Sequence, residues 1–342
     1  MSKLKIDGSY GEGGGQILRT SLALSIITRQ PVHIENIRAK RDKPGLQRQH
    51  LAAVRAAAQI SAARLSGDAL GSRDLRFEPG AARAGDYTFD VGSAGSTTLV
   101  LQTILPPLLL ADGRSVIELV GGTHNPFAPP FDFLDRAFLP LLNRMGPQVV
   151  MTLERPGFYP AGGGRLRVEV EPAPGLTPLE IVERGETRRR LCRVTLSNLP
   201  EHVAQRELAT VASALDWPEE CLETRRYQDR HFGPGNVVTI EIESERIREV
   251  FTGFGRRGVP AETVASEAAA EAMRYLAADV PVGEHLADQL ILPLALAGGG
   301  TYVTLRPSPH VTTNIEIVGK FLGVPIRVEP LAERRWQVRV GP

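Results

Sequence analysis

The chain has 342 residues, 42% of them hydrophobic and 23% charged, which permits a sizeable core and excludes global disorder. Its formal net charge of +1 at pH 7 excludes a whole-molecule field strong enough to steer a polyanion, so any nucleic acid must meet a local basic patch. Two cysteines, Cys192 and Cys221, lack the paired spacing of a cysteine zinc site or a disulfide framework. The length suits two domains, or one large domain with an insertion. The opening MSKLKIDGSYGEGGGQ has no signal-peptide core. No window reaches the run of about twenty apolar residues that spans a bilayer. A cytoplasmic protein with no membrane partner is expected.

Along the chain, one pattern recurs three times. A glycine turn opens an apolar helix, which leads to a strand, a loop, a second helix and a strand pair. First, Gly15 precedes QILRTSLALSII, then come the strand PVHIENI and the helix LQRQHLAAVRAAAQI. Second, Gly95 precedes STTLVLQTILPPLLL, followed by SVIELV, the helix PFDFLDRAFLPLLNRM and the strand RLRVEVEP. Third, Gly283 precedes EHLADQLILPLALA, followed by TYVTL and a helix around TNIEIVGKFL. Gly15 and Gly95 are 80 positions apart but Gly95 and Gly283 are 188 apart, a surplus that fits an inserted domain. Within that surplus, RLCRVTLSNL, HVAQRELATVASAL, NVVTIEIESE and TVASEAAAEAMRYLAA alternate strand and helix, and EPAPGLTP reads as the linker leading out. The expected fold is α/β: three repeated units over 1–177 and 281–342, with a smaller α/β domain at 178–280 inserted before the third.

In each copy the loop after the second strand is unusual: RAKRDKPG, GGTHNPFAPP and RPSPH. Equivalent places in pseudo-symmetric units let these loops converge on one crevice. His310 sits beyond Pro307 and Pro309, with Thr312, Thr313 and Asn314 available as caps for the next helix. A neutral imidazole there, its other ring nitrogen fixed by a carbonyl, can attack phosphorus. The turn DGSYGEGGGQ matches neither the P-loop nor the dinucleotide fingerprint. Glu12 within it suits a divalent metal bridging phosphates. Arg38, Lys40, Arg41, Lys43 and Arg48 form the densest basic cluster, and guanidinium forks recognise phosphate oxygens. Such a small cluster on a nearly neutral chain fits a strand end better than a long duplex.

GEGGGQILR, IRAKRDKPGLQRQHL, GSAGSTTLVLQT, GGTHNPFAPP, GFYPAGGG, EHLADQ and the His310 loop together resemble the RNA 3′-terminal phosphate cyclase family over nearly the whole chain. The resemblance implies three βαβαββ-type units with a smaller inserted domain. It also implies ATP and a divalent metal, Mg or Mn, as cofactors, and RNA with a 3′-terminal phosphate as partner. It leaves room for a homodimer. His310 is then the nucleophile that becomes a histidine–AMP adduct. Gln102 and the segment His285, Leu286, Ala287, Asp288 and Gln289 contact ATP, with Pro129 and Phe133 flanking the adenine. Glu12 holds the metal, and Arg19, Arg38, Arg41, Gln49 and His50 bind the terminal phosphate or those of ATP. Two departures stand out: Arg155-Pro156 precedes GFYPAGGG, and His285 stands where relatives carry Tyr. A non-catalytic ribosome-assembly or RNA-binding relative of the same fold lacks the histidine, so His310 discriminates. Since every candidate residue lies outside 178–280, the chemistry with ATP is expected to survive removal of that span.

Overall fold

The computed structural model describes residues 3–92, 94–228 and 233–342; Ser93, inside the GSAGSTT stretch, lies outside them. The first unit comprises β1 (Leu4–Asp7), α1 (Gly15–Thr28), β2 (Val32–Glu35), α2 (Arg48–Ser61), β3 (Arg64–Ser66) and β4 (Leu75–Glu78). The second runs β5 (Asp86–Asp90), α3 (Thr97–Leu108), β6 (Ser115–Gly121), α4 (Phe131–Phe133), a π-helical turn (Leu134–Phe138), α5 (Leu139–Arg144), β7 (Gln148–Arg155) and β8 (Gly164–Glu171). After the linker come β9 (Glu180–Ile181), β10 (Thr187–Ser197), α6 (Glu201–Leu215), β11 (Leu222–Tyr227), β12 (Gly235–Ser244), β13 (Arg248–Phe254) and α7 (Ala261–Ala278). The chain ends with α8 (Glu284–Leu296), β14 (Gly300–Thr304), α9 (Pro309–Leu322), β15 (Ile326–Ala332) and β16 (Arg335–Val340).

Three of the four sheets share one arrangement: β1-β2-β4-β3, β5-β6-β8-β7 and β9-β14-β16-β15. In each, the first two strands are parallel and the later pairings antiparallel. The fourth sheet, β11-β10-β12-β13, is built from the intervening residues. β9 differs from the expected 178–280 boundary. It pairs in parallel with β14 through Glu180↔Thr301 and Ile181↔Tyr302, so the chain completes an edge of the third sheet before it crosses into the fourth.

The elements follow from their patterns. β8, GRLRVEVE, alternates between the core and the outer face, as a half-buried strand must. α1 is apolar nearly all round, with Ile17, Leu22 and Leu24 fully buried, because it packs among α2, α3 and α9. Two apolar cores result. The larger joins Leu22, Val100, Leu166, Leu290 and Ile317, whereas the smaller gathers Val194, Val211, Ile240, Ala268 and Tyr275 around the fourth sheet. Val250 of β13 belongs to the larger core and Val303 of β14 to the smaller, so the two are docked along these strands. No helix of the described residues is long and apolar enough to cross a membrane.

The smaller core carries a titratable load. Glu207 on α6 is fully buried; Asn236 Nδ2 donates to its Oε1 at 2.6 Å, and its Oε2 has no partner among the described residues. Burial pushes its carboxyl up to about 7 from an ordinary 4.5, against the pull of Asn236 and Arg206. The folded chain therefore keeps a proton that the unfolded chain releases. Stability from this group is present below pH ~4.5 and is lost as pH rises through ~7. In urea titrations at pH 5 and pH 8, the parent should lose roughly 1–3 kcal/mol relative to Glu207→Gln, which keeps the acceptor and cannot ionise. Parallel pH curves for the two chains would contradict this.

Candidate active site

The glycine-rich turn of the first unit docks on the first turn of α9. Glu12 N donates to Thr313 Oγ1 at 3.1 Å, and that hydroxyl donates to Pro309 O at 2.7 Å. Gly11 adopts φ +53°, and a Cβ there would lie 2.3 Å from Thr313 Oγ1, so a side chain is excluded both by conformation and by space. Gly15 opens α1 beneath His50 Nε2 and Arg19 Nη1, which a Cβ would approach to 2.5 and 2.7 Å. The turn thereby brings helix N-termini and basic side chains from separate units together.

α9 begins earlier than expected. Ser308 is its N-cap and Pro309 its first residue, so His310 lies within the first helical turn. Thr312, Thr313 and Asn314 are therefore not caps: both hydroxyls donate to Pro309 O, and Asn314 is buried. A serine followed by proline is a helix-start signal that the sequence already carried. The His310 ring is exposed, and its Nδ1 is 2.9 Å from Gln16 Oε1. Gln16 Nε2 donates to Asp288 Oδ1 and, at 3.3 Å, to His310 O. These two acceptors make Nε2 the amide nitrogen and Oε1 an acceptor, so Nδ1 must carry the ring hydrogen. Among the described residues Nε2 has no hydrogen-bond partner, and His310 lines the cavity.

Asp288 anchors this chain. Asn314 Nδ2 donates to its Oδ1 at 2.9 Å, Gln289 Nε2 donates to its Oδ2 at 3.0 Å, and Gln102 Nε2 donates in turn to Gln289 Oε1. Thr20 Oγ1 donates to Asn314 Oδ1 at 2.8 Å. Burial pushes the Asp288 carboxyl up, opposed by His310, Gln16, Arg19 and Asn314. Gln16, Thr20 and Asn314 were not anticipated as functional residues. Gln16 stood only within the motif GEGGGQILR and Asn314 only as a cap candidate, while Thr20 carried no signal beyond polarity on an otherwise apolar helix.

Positive charge gathers in the same site. Burial pushes Arg19 down to about 10, against the pull of Asp288 and Glu12. Arg38 is lowered by burial and then by Arg41, and its Nε is buried with no partner among the described residues. His50 is driven down to about 3 by burial, Arg19 and Arg38. Its Nδ1 accepts from Gln47 N at 3.1 Å, so the neutral ring presents Nε2–H. Glu12 is the counter-charge, ion-paired with Arg41 and accepting from Gly14 N at 2.8 Å. Clustered guanidinium groups around an unsatisfied donor form a cradle for an anion.

All these groups line one cavity of about 770 Å³. It brings together Glu12, Arg19, Arg38, Arg41, Gln49, His50, Gln102, Pro129, Phe133, His285, Asp288, Gln289 and His310. Leu286 and Ala287 do not reach it. His285, Asp288 and Gln289 share one face of α8 at the i, i+3, i+4 spacing, whereas the two intervening residues face the core at 0% and 1% exposure. The fourth sheet also contributes: Val250, Thr252, Phe254 and Arg256, with Glu267 and Glu271 from α7, form part of the wall. Glu271 pushes the exposed His285 imidazole up, its Oε2 lying 3.6 Å from Nε2. The span expected to be dispensable for ATP chemistry therefore borders the same space.

With this geometry in hand, comparison with known proteins is decisive. The profile for RNA 3′-terminal phosphate cyclase matches residues 10–328. The chain belongs to the RNA 3′-terminal phosphate cyclase family. Relatives of that name include those of Koribacter versatilis, 51% identical over 96% of this chain and 92% of that one, and Salmonella agona, 51% identical over 96% and 95%. A third, from Ectopseudomonas mendocina, is 49% identical over 99% of this chain and 98% of its own.

The hydrogen-bond chain through Gln16 makes a prediction independent of turnover. Imidazole ¹⁵N shifts should report the Nδ1–H tautomer of His310 in the parent. In Gln16→Ala the Nε2–H form, favoured by an unconstrained side chain, should take over; an unchanged tautomer would remove Gln16 from this role.

Proposed function

We propose that the protein uses ATP to convert the 3′-terminal phosphate of RNA into a 2′,3′-cyclic phosphodiester through covalent histidine–AMP and RNA(3′)pp(5′)A intermediates. The observation that carries this reading is His310, exposed in the first turn of α9, with Nδ1 paired to Gln16, Nε2 without a partner among the described residues, and a shared place with Arg19, Arg38 and Arg41 on the lining of one cavity. Family membership supports the RNA terminus as substrate.

In the first step, His310 Nε2 attacks the α-phosphorus of ATP; a P–N bond forms and the bond to the bridging oxygen breaks, releasing pyrophosphate. The free amides of the first turn of α9 face developing phosphate charge favourably. Gln102 and Gln289 lie beside the apolar wall of Pro129 and Phe133, which suits a purine. An oxygen of the RNA 3′-phosphate then takes the adenylyl group as the P–N bond breaks. Finally the neighbouring 2′-hydroxyl attacks the activated 3′-phosphorus, loses its proton and expels AMP. Arg38, Arg41 and Arg19 hold the terminal phosphate during these transfers, with His50 Nε2–H as a neutral donor and Gln49 beside it.

Glu12, the carboxylate that lines the cavity beside the arginines, would hold a divalent metal in exchange for its ion pair with Arg41. A bound Mg or Mn would neutralise phosphate charge there. Among the described residues, the cluster with metal-ligand spacing is His33, Glu35 and Asp74, which does not line the cavity. We assign residues 187–278 to an inserted unit, on the strength of their separate sheet and core.

Incubation with α-labelled ATP should yield an acid-labile protein adduct with release of pyrophosphate, and His310→Ala should abolish it while melting like the parent. RNA already bearing AMP on its 3′-phosphate should still be cyclised by that variant. A normal adduct yield from His310→Ala would overturn the assignment, and binding of RNA with no adduct from the parent would favour a non-catalytic relative. Arg38→Ala or Arg41→Ala should lower cyclisation by about ten- to a hundredfold, with only partial rescue by Lys. Parental rates in both would leave the basic loop as a solvated face.

A further inference from the structure

Glu249, on β13 of the fourth sheet, has no role in the reaction described above, yet it is 1% exposed and immediately precedes Val250, which lines the cavity. Its Oε1 accepts from the backbone amide of Gly283 at 2.5 Å. Gly283 is the N-cap of α8, and no side chain of that helix turns back to satisfy it. The amides at a helix start have no acceptor within their own helix. Here a carboxyl group from a strand of the fourth sheet, 34 positions earlier, takes that place. The fit is tight: a Cβ on Gly283 would lie 3.1 Å from the carboxyl group. Tyr275 of α7, and Glu284 and His285 of α8, are the titratable groups in this corner. Tyr275 is committed elsewhere, donating to Pro281 O at 3.1 Å.

We propose that Glu249 is a positioning residue for nucleotide binding. By holding the Gly283 amide it fixes the first turn of α8, and with it His285, Asp288 and Gln289, which follow within two turns on the cavity face. The neighbouring residue Val250 enters the larger core and also lines the cavity, so β13 is seated against the space it serves. The inserted unit is thus a working wall of the nucleotide site, coupled to His310 through α8 and Asp288. The group acts through its acceptor oxygen, so a neutral carboxamide can replace it. This inference rests on the ATP-binding part of the function proposed above.

The test uses the full-length chain and two readouts: calorimetric binding of a non-hydrolysable ATP analogue, and the ATP dependence of adduct formation. Glu249→Ala orphans a buried amide, so both the dissociation constant and the half-saturating ATP concentration should rise about tenfold. The maximal rate of adduct formation should stay within about threefold, and Glu249→Gln should bind within about twofold of the parent. Parental binding by folded Glu249→Ala, or equal impairment of the Ala and Gln variants, overturns the proposal. If Glu249→Ala does not fold, Gly283→Ala keeps the amide but crowds the carboxyl group; it should weaken analogue binding with the maximal rate held, and parental affinity in that variant overturns the proposal. A parent that binds the analogue without forming an adduct would sink the functional reading and leave this one standing. An adduct with normal ATP dependence in Glu249→Ala would do the reverse.

Discussion

The site depends on one carboxamide. Gln16 has a single acceptor oxygen and one NH₂ group, and the structure uses both ends: the oxygen takes the His310 ring hydrogen and the nitrogen reaches Asp288. An imidazole has two tautomers of similar energy, and only one leaves the exposed nitrogen nucleophilic. A carboxamide oriented by a carboxylate selects it without placing a full negative charge against the ring. That choice matters where an anionic phosphate must arrive. Asp288 is itself held by Asn314 and Gln289, so the constraint spreads through α1, α8 and α9.

Around that axis, charge is arranged asymmetrically. The cationic side carries Arg19, Arg38 and Arg41 with Glu12 as partial compensation. Pro129, Phe133, Gln102 and Gln289 add apolar and amide groups to the same lining. His50 completes the cationic side without adding to it, since burial and the two guanidinium groups keep it neutral. A ligand with phosphates at one end and a flat heterocycle at the other matches such a division.

Much of this was legible in the sequence because it is periodic or punctuated. α1, α2, α3 and α8 announce themselves by apolar spacing, and the glycines that open α1 and α8 mark where backbone must approach side chains. Residues gathered from loops far apart, such as Glu12, Arg41 and His310, were legible through motif resemblance; periodicity alone would have left them separate. Four features were hidden for physical reasons. The segment HLADQ reads as five contiguous contacts, but helical geometry turns Leu286 and Ala287 into the core. The start of α9 was set by Ser308 and Pro309, whereas the threonines and Asn314 drew attention as alternative caps. Glu180–Ile181 is a two-residue strand, and only its pairing with β14 reveals which sheet owns it. The bond from Glu249 to Gly283 runs from a strand of the fourth sheet to the start of α8 across 34 positions, which no local pattern encodes.

The docking of the glycine turn on α9 has a further consequence for how the protein comes into being. Glu12 and Thr313 are bonded across a sequence separation of 301 positions, and Gln16 meets His310 across 294. Contacts of such range form late, since loop closure must precede any reward. During synthesis the first unit leaves the ribosome long before α9 exists, so its basic loop and glycine turn wait without the imidazole they will serve. A growing chain can fold its early sheets, but the cavity lined jointly by Arg19, Arg41 and His310 is complete only when its last elements arrive. The assembled site thereby becomes a property of the finished polypeptide alone.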